Sequence, residues 1–232
     1  PSFVTAGTMT ALASIAFAVF VGNPLTVGGR RFFVENGDNK GELKHLLTGF
    51  DASEVAGIGA GGQMHGLVAL DAQDNVIRPA ILWNDGRTFE EVDYLNNEIG
   101  KDKLSEYTAN IAFAGFTAPK ILWMKKNEPE NYAKIAKIML PKDYINYMLT
   151  GVHCCDYSDA SGMLLLDVKN KKWSKEMMDI CGLKESQMPK LFESYEAMDH
   201  LMKDNVLDLI LPELKSLTQP HLHFHGGREQ FP

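Results

Sequence analysis

Residues 57–71 read "GIGAGGQMHGLVALD". An apolar run closes on glycines, a polar triplet Gln63–Met64–His65 follows, and a second apolar run begins. Short apolar runs bounded by glycine predict buried strands, here "VAGIGAG" (55–61) and "GLVALD" (66–71). Glycine loses the most conformational entropy on folding. A glycine-dense hinge is therefore costly unless the backbone must come close to something. A polar tip held between rigid strands suits ligand binding. His65 can donate or accept a hydrogen bond to a polyol hydroxyl, and Met64 can offer apolar cover or a backbone group. The spacing alone serves a satisfied turn histidine equally well.

Outward from this stretch the pattern is α/β. "AQDN" is a turn, and "VIRPAILW" (76–83) is extended, with Pro79 pointing to an edge or bulge. "RTFEEVDYLNNEIG" then places Phe89, Val92, Leu95 and Ile99 at helical spacing and stops on Gly100. "DKLSEYT" predicts a second short helix. "TAPKILWMKKNEPENYAKIA" predicts a helix with Thr117 as N-cap and Pro119 in its first turn, split at Glu128–Pro129. "KIMLP" is a short strand, "KDYINYMLTG" a helix closed by Gly151, "MLLLDVKNKKW" a strand with a turn, and "SKEMMDICG" a helix starting at Ser174.

Composition fits a soluble globular protein: 232 residues, 45% hydrophobic and 23% charged. The formal net charge of −7 argues against a nucleic-acid or anionic-membrane surface, which needs a basic patch. The three cysteines, Cys154, Cys155 and Cys181, read as thiols in a reducing cytosol. Residues 1–29 contain no charge, and Phe3 to Val21 is about the length of a membrane span. A buried strand pair, supported by "VGNPLTVGG", is the alternative to a membrane or signal segment. After residue 196 the pattern weakens. "DNVLDLILPELKSL" suggests a short helix broken at Pro212, and His221, His223 and His225 would share one face of a strand. A metal site there competes with a nonspecific histidine-rich end, which costs less entropy.

Two further clusters carry polar side chains. "ILWNDGRT" (81–88) ends an apolar strand with Trp83, which can stack on a sugar face, and with Asn84 and Asp85, which can bond hydroxyls. The same residues read as a helix entry, with Asn84 or Asp85 as cap. "DYSDASGM" (156–163) offers Asp156 and Asp159 as metal ligands or an acid–base pair. Both are equally good turn formers.

The segments "GQMHGLVALD", "RPAILWNDGRT", "GFTAPKILW", "NEPE", "IMLPKDY", "LTG" and "SDASGMLLLDV…W", in this order and spacing, resemble the xylulose branch of the FGGY carbohydrate kinases across residues 41–196. The resemblance implies a ribonuclease-H-like domain of the actin/hexokinase type, incomplete here. Two such domains close over a cleft, with sugar on the first and ATP on the second. By motif match it implies substrate contacts at Met64, His65 and Trp83, and more weakly at Asp85. D-xylulose or a related pentulose is the implied substrate, ATP and Mg²⁺ the cofactors of the complete enzyme, and the cytoplasm its location. No nucleic-acid or membrane partner is expected, and a homo-oligomer is left open. Gly61 stands where the family has serine, and Ala109 where it usually has glycine.

The family's "Asp-x-Gly-Thr-Ser" phosphate turn is not found in residues 1–40, nor its "Gly-Gly-Asp-Asn" base segment after residue 196. The expected organisation is an atypical apolar segment (1–40), a sugar-binding core (41–196) and an atypical tail (197–232). That implies no catalytic residue in the chain and no activity on its own, as in a truncated or frameshifted product. A non-catalytic sugar-binding remnant is the alternative, and a poorly closed core, with sheet edges open, the third.

Overall fold

The structure is a computed structural model, and it describes residues 16–21, 30–34, 55–197 and 223–226. Strands β1 (Ala16–Val21), β2 (Arg30–Val34), β3 (Val55–Gly61) and β10 (His223–Gly226) form a sheet in the order β10-β3-β1-β2. β1 runs antiparallel to β2, with Phe17 opposite Val34, and antiparallel to β3, while β10 is parallel to β3. The strand-pair reading of the apolar N-terminal run therefore holds for Ala16–Val21. No helix among the described residues is long and apolar enough to cross a membrane. The helix expected in 204–217 and His221 lie outside the described residues.

Three two-stranded sheets carry the rest. β4 (Val68–Leu70) pairs antiparallel with β5 (Lys137–Met139), and β6 (Cys154–Asp156) pairs parallel with β9 (Lys190–Phe192). β7 (Leu166–Asp167) and β8 (Lys172–Trp173) form a hairpin. The extended segment expected at 76–83 is not a strand: it bends at Arg78, turns at Trp83–Asn84 and pairs through single bridges, Leu70 to Val76 and Leu67 to Ile81. Pro79 lacks the N–H that a continuous ladder would need.

Seven α-helices are described. They are α1 (Phe89–Asp93), α2 (Lys101–Thr108), α3 (Thr117–Asn127), α4 (Pro129–Tyr132), α5 (Pro141–Thr150), α6 (Tyr157–Ser161) and α7 (Lys175–Cys181). Most boundaries follow local chemistry. Gly100, Gly151 and Gly182 take positive φ at helix ends, as expected of C-terminal glycines. Ser174 accepts from the Met177 N–H and caps α7. Pro129 restarts the chain as α4.

Three expectations at helix starts are corrected. Neither Asn84 nor Asp85 caps α1, because Asp85 is taken by Arg87 and the helix starts at Phe89 behind Thr88. Phe116, not Thr117, is the N-cap of α3. Phe89, expected on the buried face, is 71% exposed, while Leu95 is fully buried. Phe89 is the first residue of α1, at the open end of the face that Val92, Leu95 and Ile99 turn to the core.

The apolar core lies between these layers, with Leu67, Ile81, Leu95, Ile121, Ile138 and Leu166 among its members. The two departures from the family pattern differ in consequence. A side chain at Gly61 would meet nothing within 4 Å, so serine fits there. Ala109 sits at φ 56°, the left-handed C-terminal position of α2, where glycine is the unstrained residue.

Candidate functional site

Three chain segments converge just beyond strand ends. The Gln63–His65 turn follows β3, the start of α5 follows β5, and α6 follows β6. In open α/β folds ligands bind outside the carboxyl ends of strands.

The turn is tight. Gly66 N–H donates to Met64 O at 2.8 Å, closing a three-residue turn with His65 in its middle at φ 68°. The left-handed strain therefore falls on His65 itself rather than on a glycine. Non-glycine residues held at positive φ tend to mark functional sites. Gly66 is needed for approach: a Cβ there would come within 2.8 Å of the Pro141 ring.

His65 is held by two contacts to its ring and one to its backbone carbonyl. Its Nδ1 lies 3.0 Å from Gly162 O, and a carbonyl only accepts, so Nδ1 carries the proton. In the neutral ring Nε2 is then the acceptor. The Phe116 ring lies 5.0 Å away, tilted by 41°. Thr117 Oγ1 donates to His65 O at 3.0 Å, a better use of that hydroxyl than the cap expected from sequence. A Cβ on Gly162 would overlap the His65 ring, so glycine is required at that contact. Met64 is half-buried and packs against the apolar core, leaving its backbone to face the turn.

Trp83 is 54% exposed, an open indole face. Its carbonyl would lie 3.1 Å from a Cβ on Gly115, so it sits against the loop that carries Phe116. Loop 113–117 thus borders both His65 and Trp83. Asp85 accepts from Arg87 at its backbone N (3.0 Å), Nε (2.9 Å) and Nη2 (2.7 Å). Those bonds hold its carboxyl below the usual carboxylate range and engage both oxygens. Asp85 therefore organises the strand end next to Trp83. Arg87 in turn lies over the Trp123 ring at 4.7 Å.

Lys120 is a residue that sequence reading missed. It is fully buried, and its ammonium donates to the carbonyls of Ala114 (2.9 Å), Gly115 (2.6 Å) and Phe116 (2.8 Å). Burial pushes it down to about 7, against the pull of Asp85. It staples the loop between His65 and Trp83. The signal was present in "GFTAPK", where a charged residue falls on the buried side of a helix start.

The acidic cluster at 156–163 is structural. Asp156 ends β6 and caps α6 by accepting the Asp159 N–H at 3.0 Å. Both carboxylates pair with the buried Lys142, Asp159 at 2.8 Å, and Asp143 adds a third at 3.3 Å. Burial opposes the Lys142 charge, but Asp143, Asp159 and Asp156 outweigh it and hold its proton well above the usual lysine range. Burial pushes Asp143 up to about 6 despite the neighbouring ammonium. Among the described residues no group of three or more His, Cys, Asp or Glu is arranged to hold a metal ion. The three cysteines are buried thiols outside any disulfide among the described residues, and burial raises each.

Comparisons with known proteins agree on one family. Residues 41–209 match the FGGY family of carbohydrate kinases, N-terminal domain. The chain is 45% identical over 193 residues to the xylulose kinase of Lactococcus lactis, covering 81% of this chain and 37% of that protein. It is 44% identical over 162 residues to the xylulose kinase of Escherichia coli, covering 70% and 33%. The crystal structure of a xyloylose kinase from Brucella ovis superposes with a TM-score of 0.64 at 42% identity, covering 72% of this chain and 32% of that one. The chain spans about a third of the length of the curated relatives it matches. The fold is the ribonuclease-H-like, actin-type α/β fold of these kinases.

Proposed function

The chain belongs to the FGGY family of carbohydrate kinases, and on that premise we propose that residues 41–196 are the sugar-binding part of an ATP:D-xylulose 5-phosphotransferase. The observation that carries this reading is the strained His65 turn, clamped by Gly162, Phe116 and Thr117, with the exposed Trp83 against the same loop that carries Phe116. Such a rigid first shell suits a ligand rich in hydroxyls. On this reading His65 Nε2 accepts from one hydroxyl of the pentulose, and the indole of Trp83 covers its C–H face. Met64 contributes its backbone and the apolar edge of the turn. Asp85, saturated by Arg87, fixes the turn that follows Trp83. The cytoplasm is the location this reading implies.

In the complete enzyme Mg²⁺ and ATP would supply the phosphoryl group and neutralise its charge. The described residues do not fit that role. The carboxylates at the start of α6, Asp156 and Asp159, are buried and tied up in ion pairs with Lys142. The same observation favours a second reading, in which the chain binds sugar without catalysing. ADP release by the pure chain with D-xylulose decides between the two. Titration calorimetry tests the shared premise. D-xylulose is expected to bind, glycerol far more weakly, and His65→Ala is expected to lower the affinity. No binding of any pentulose would overturn the sugar-site reading.

A further inference from the structure

We propose that Lys142 is the residue that positions His65, gripping from two sides the turn on which the histidine stands. The geometry of this inference stands alone; its functional consequence rests on the sugar-binding reading above.

Lys142 is the second residue of α5 and is buried. Its backbone N–H donates to Gln63 O at 3.3 Å, on one flank of the turn. Its neighbour Pro141 fills the space against Gly66, on the other flank. The first two residues of α5 therefore brace the backbone of the turn. The Lys142 side chain meets Asp156, which caps α6, and Asp159 at 2.8 Å in the first turn of α6. At the far end of that helix the Gly162 carbonyl receives the His65 ring.

α6 is only five residues long. So short a helix has little stability of its own, and its placement is set by what holds its ends. The ammonium holds one end and His65 leans on the other. Backbone and side chain of a single residue thus close a circuit: Gln63, Lys142, Asp156 with Asp159, Gly162, His65. A buried ion cluster seldom stabilises more than apolar residues of the same volume would, and its better-attested use is to specify geometry. Asp143 and Asn146 fit that view. Asp143 reaches the ammonium only at 3.3 Å, and both side-chain polar atoms of Asn146 are buried without a hydrogen-bond partner, so the cluster is not optimised for stability.

The test uses the 232-residue chain. In Lys142→Met combined with Asp156→Asn and Asp159→Asn, the grip is removed with the two counter-charges on the α6 side, and asparagine keeps the N-cap. Leu104→Ala, a core truncation on α2, serves as the destabilised control. Imidazole ¹⁵N–¹H spectra report the His65 Nδ1 proton, assigned with His65→Gln, and calorimetry reports D-xylulose binding. The triple variant is expected to lose the hydrogen-bonded Nδ1 signal and to weaken binding about tenfold or more, as misplacement of a contact group by about 1 Å does. The control is expected to leave both unchanged. An unchanged His65 signal in the folded triple variant overturns the inference. Should the triple variant fail to fold, Asp159→Asn alone is read by the same signal, with the same two outcomes. A wild-type chain that binds no pentulose overturns the sugar reading instead, and the His65 signal still decides the role of Lys142.

Discussion

Gly162→Ala isolates the His65 contact more cleanly than any change to the histidine. Gly162 has φ −82° and ψ 0°, a conformation alanine adopts without strain. Through the unfolded chain the substitution is even mildly stabilising, by about 0.4–1 kcal/mol. What it cannot do is leave the His65 ring in place. The new methyl would sit well inside the 3.4 Å at which ordinary contact begins, against both Cε1 and Nδ1. The ring must retreat by about 1 Å and give up its bond to Gly162 O, a loss of about 0.5–1.5 kcal/mol that offsets the gain. Net stability should therefore change by less than about 1 kcal/mol, while a displacement of about 1 Å at a contact group can weaken function by up to about 100-fold. Urea unfolding and titration with D-xylulose, on the same preparation, read the two quantities. Stability near wild type with binding weakened at least tenfold is the expected result. Unchanged affinity would refute the argument that the Gly162 contact sets the working position of His65.

Other perturbations follow from the same geometry. Ala109→Gly should raise stability by about 1 kcal/mol, because it relieves a left-handed residue at φ 56°; the urea midpoint checks it, and a fall would mean the strain is compensated elsewhere. Asp143 holds its proton to about 6 in the folded chain but to its ordinary value of 3.8 when unfolded. Between those values the folded state binds more protons, so this group lowers stability as pH rises through that window. Asp143→Asn should therefore gain on wild type by about 3 kcal/mol between pH 4 and pH 7, and parallel stability curves would contradict this. Lys120→Met strips three carbonyls of their donor, which should cost about 2–4 kcal/mol and free loop 113–117; faster amide exchange there is the companion reading, and a stability loss under 1 kcal/mol would refute the staple.

Much of this was legible in the residues. Gly100, Gly151 and Gly182 ended helices because glycine takes the left-handed conformation without strain, and Ser174 began one because its hydroxyl reaches the third amide. The motif around Met64 and His65 pointed to the turn. Its clamp was not legible, since Gly162 and Thr117 come from 97 and 52 residues away. The cap at Asn84 or Asp85 failed for a local reason: Arg87 two residues on offers Asp85 three hydrogen bonds, more than one helix amide can. Phe89 failed because periodicity gives the direction of a face and not its extent: as the first residue of the helix it lies past the edge of the core that Val92 and Leu95 reach. Lys120 and Lys142 stood out from no sequence pattern, and both are buried, each surrounded by oxygens that single-residue propensity cannot foresee.

The central claim is that the turn at Met64–His65, flanked by Trp83, receives a sugar. Backbone amide spectra of the chain titrated with D-xylulose test it residue by residue. Shifts that saturate together and concentrate at residues 63–66, 83–85 and 113–117 are the predicted result. Shifts confined to other surfaces, or none at millimolar sugar, would contradict it.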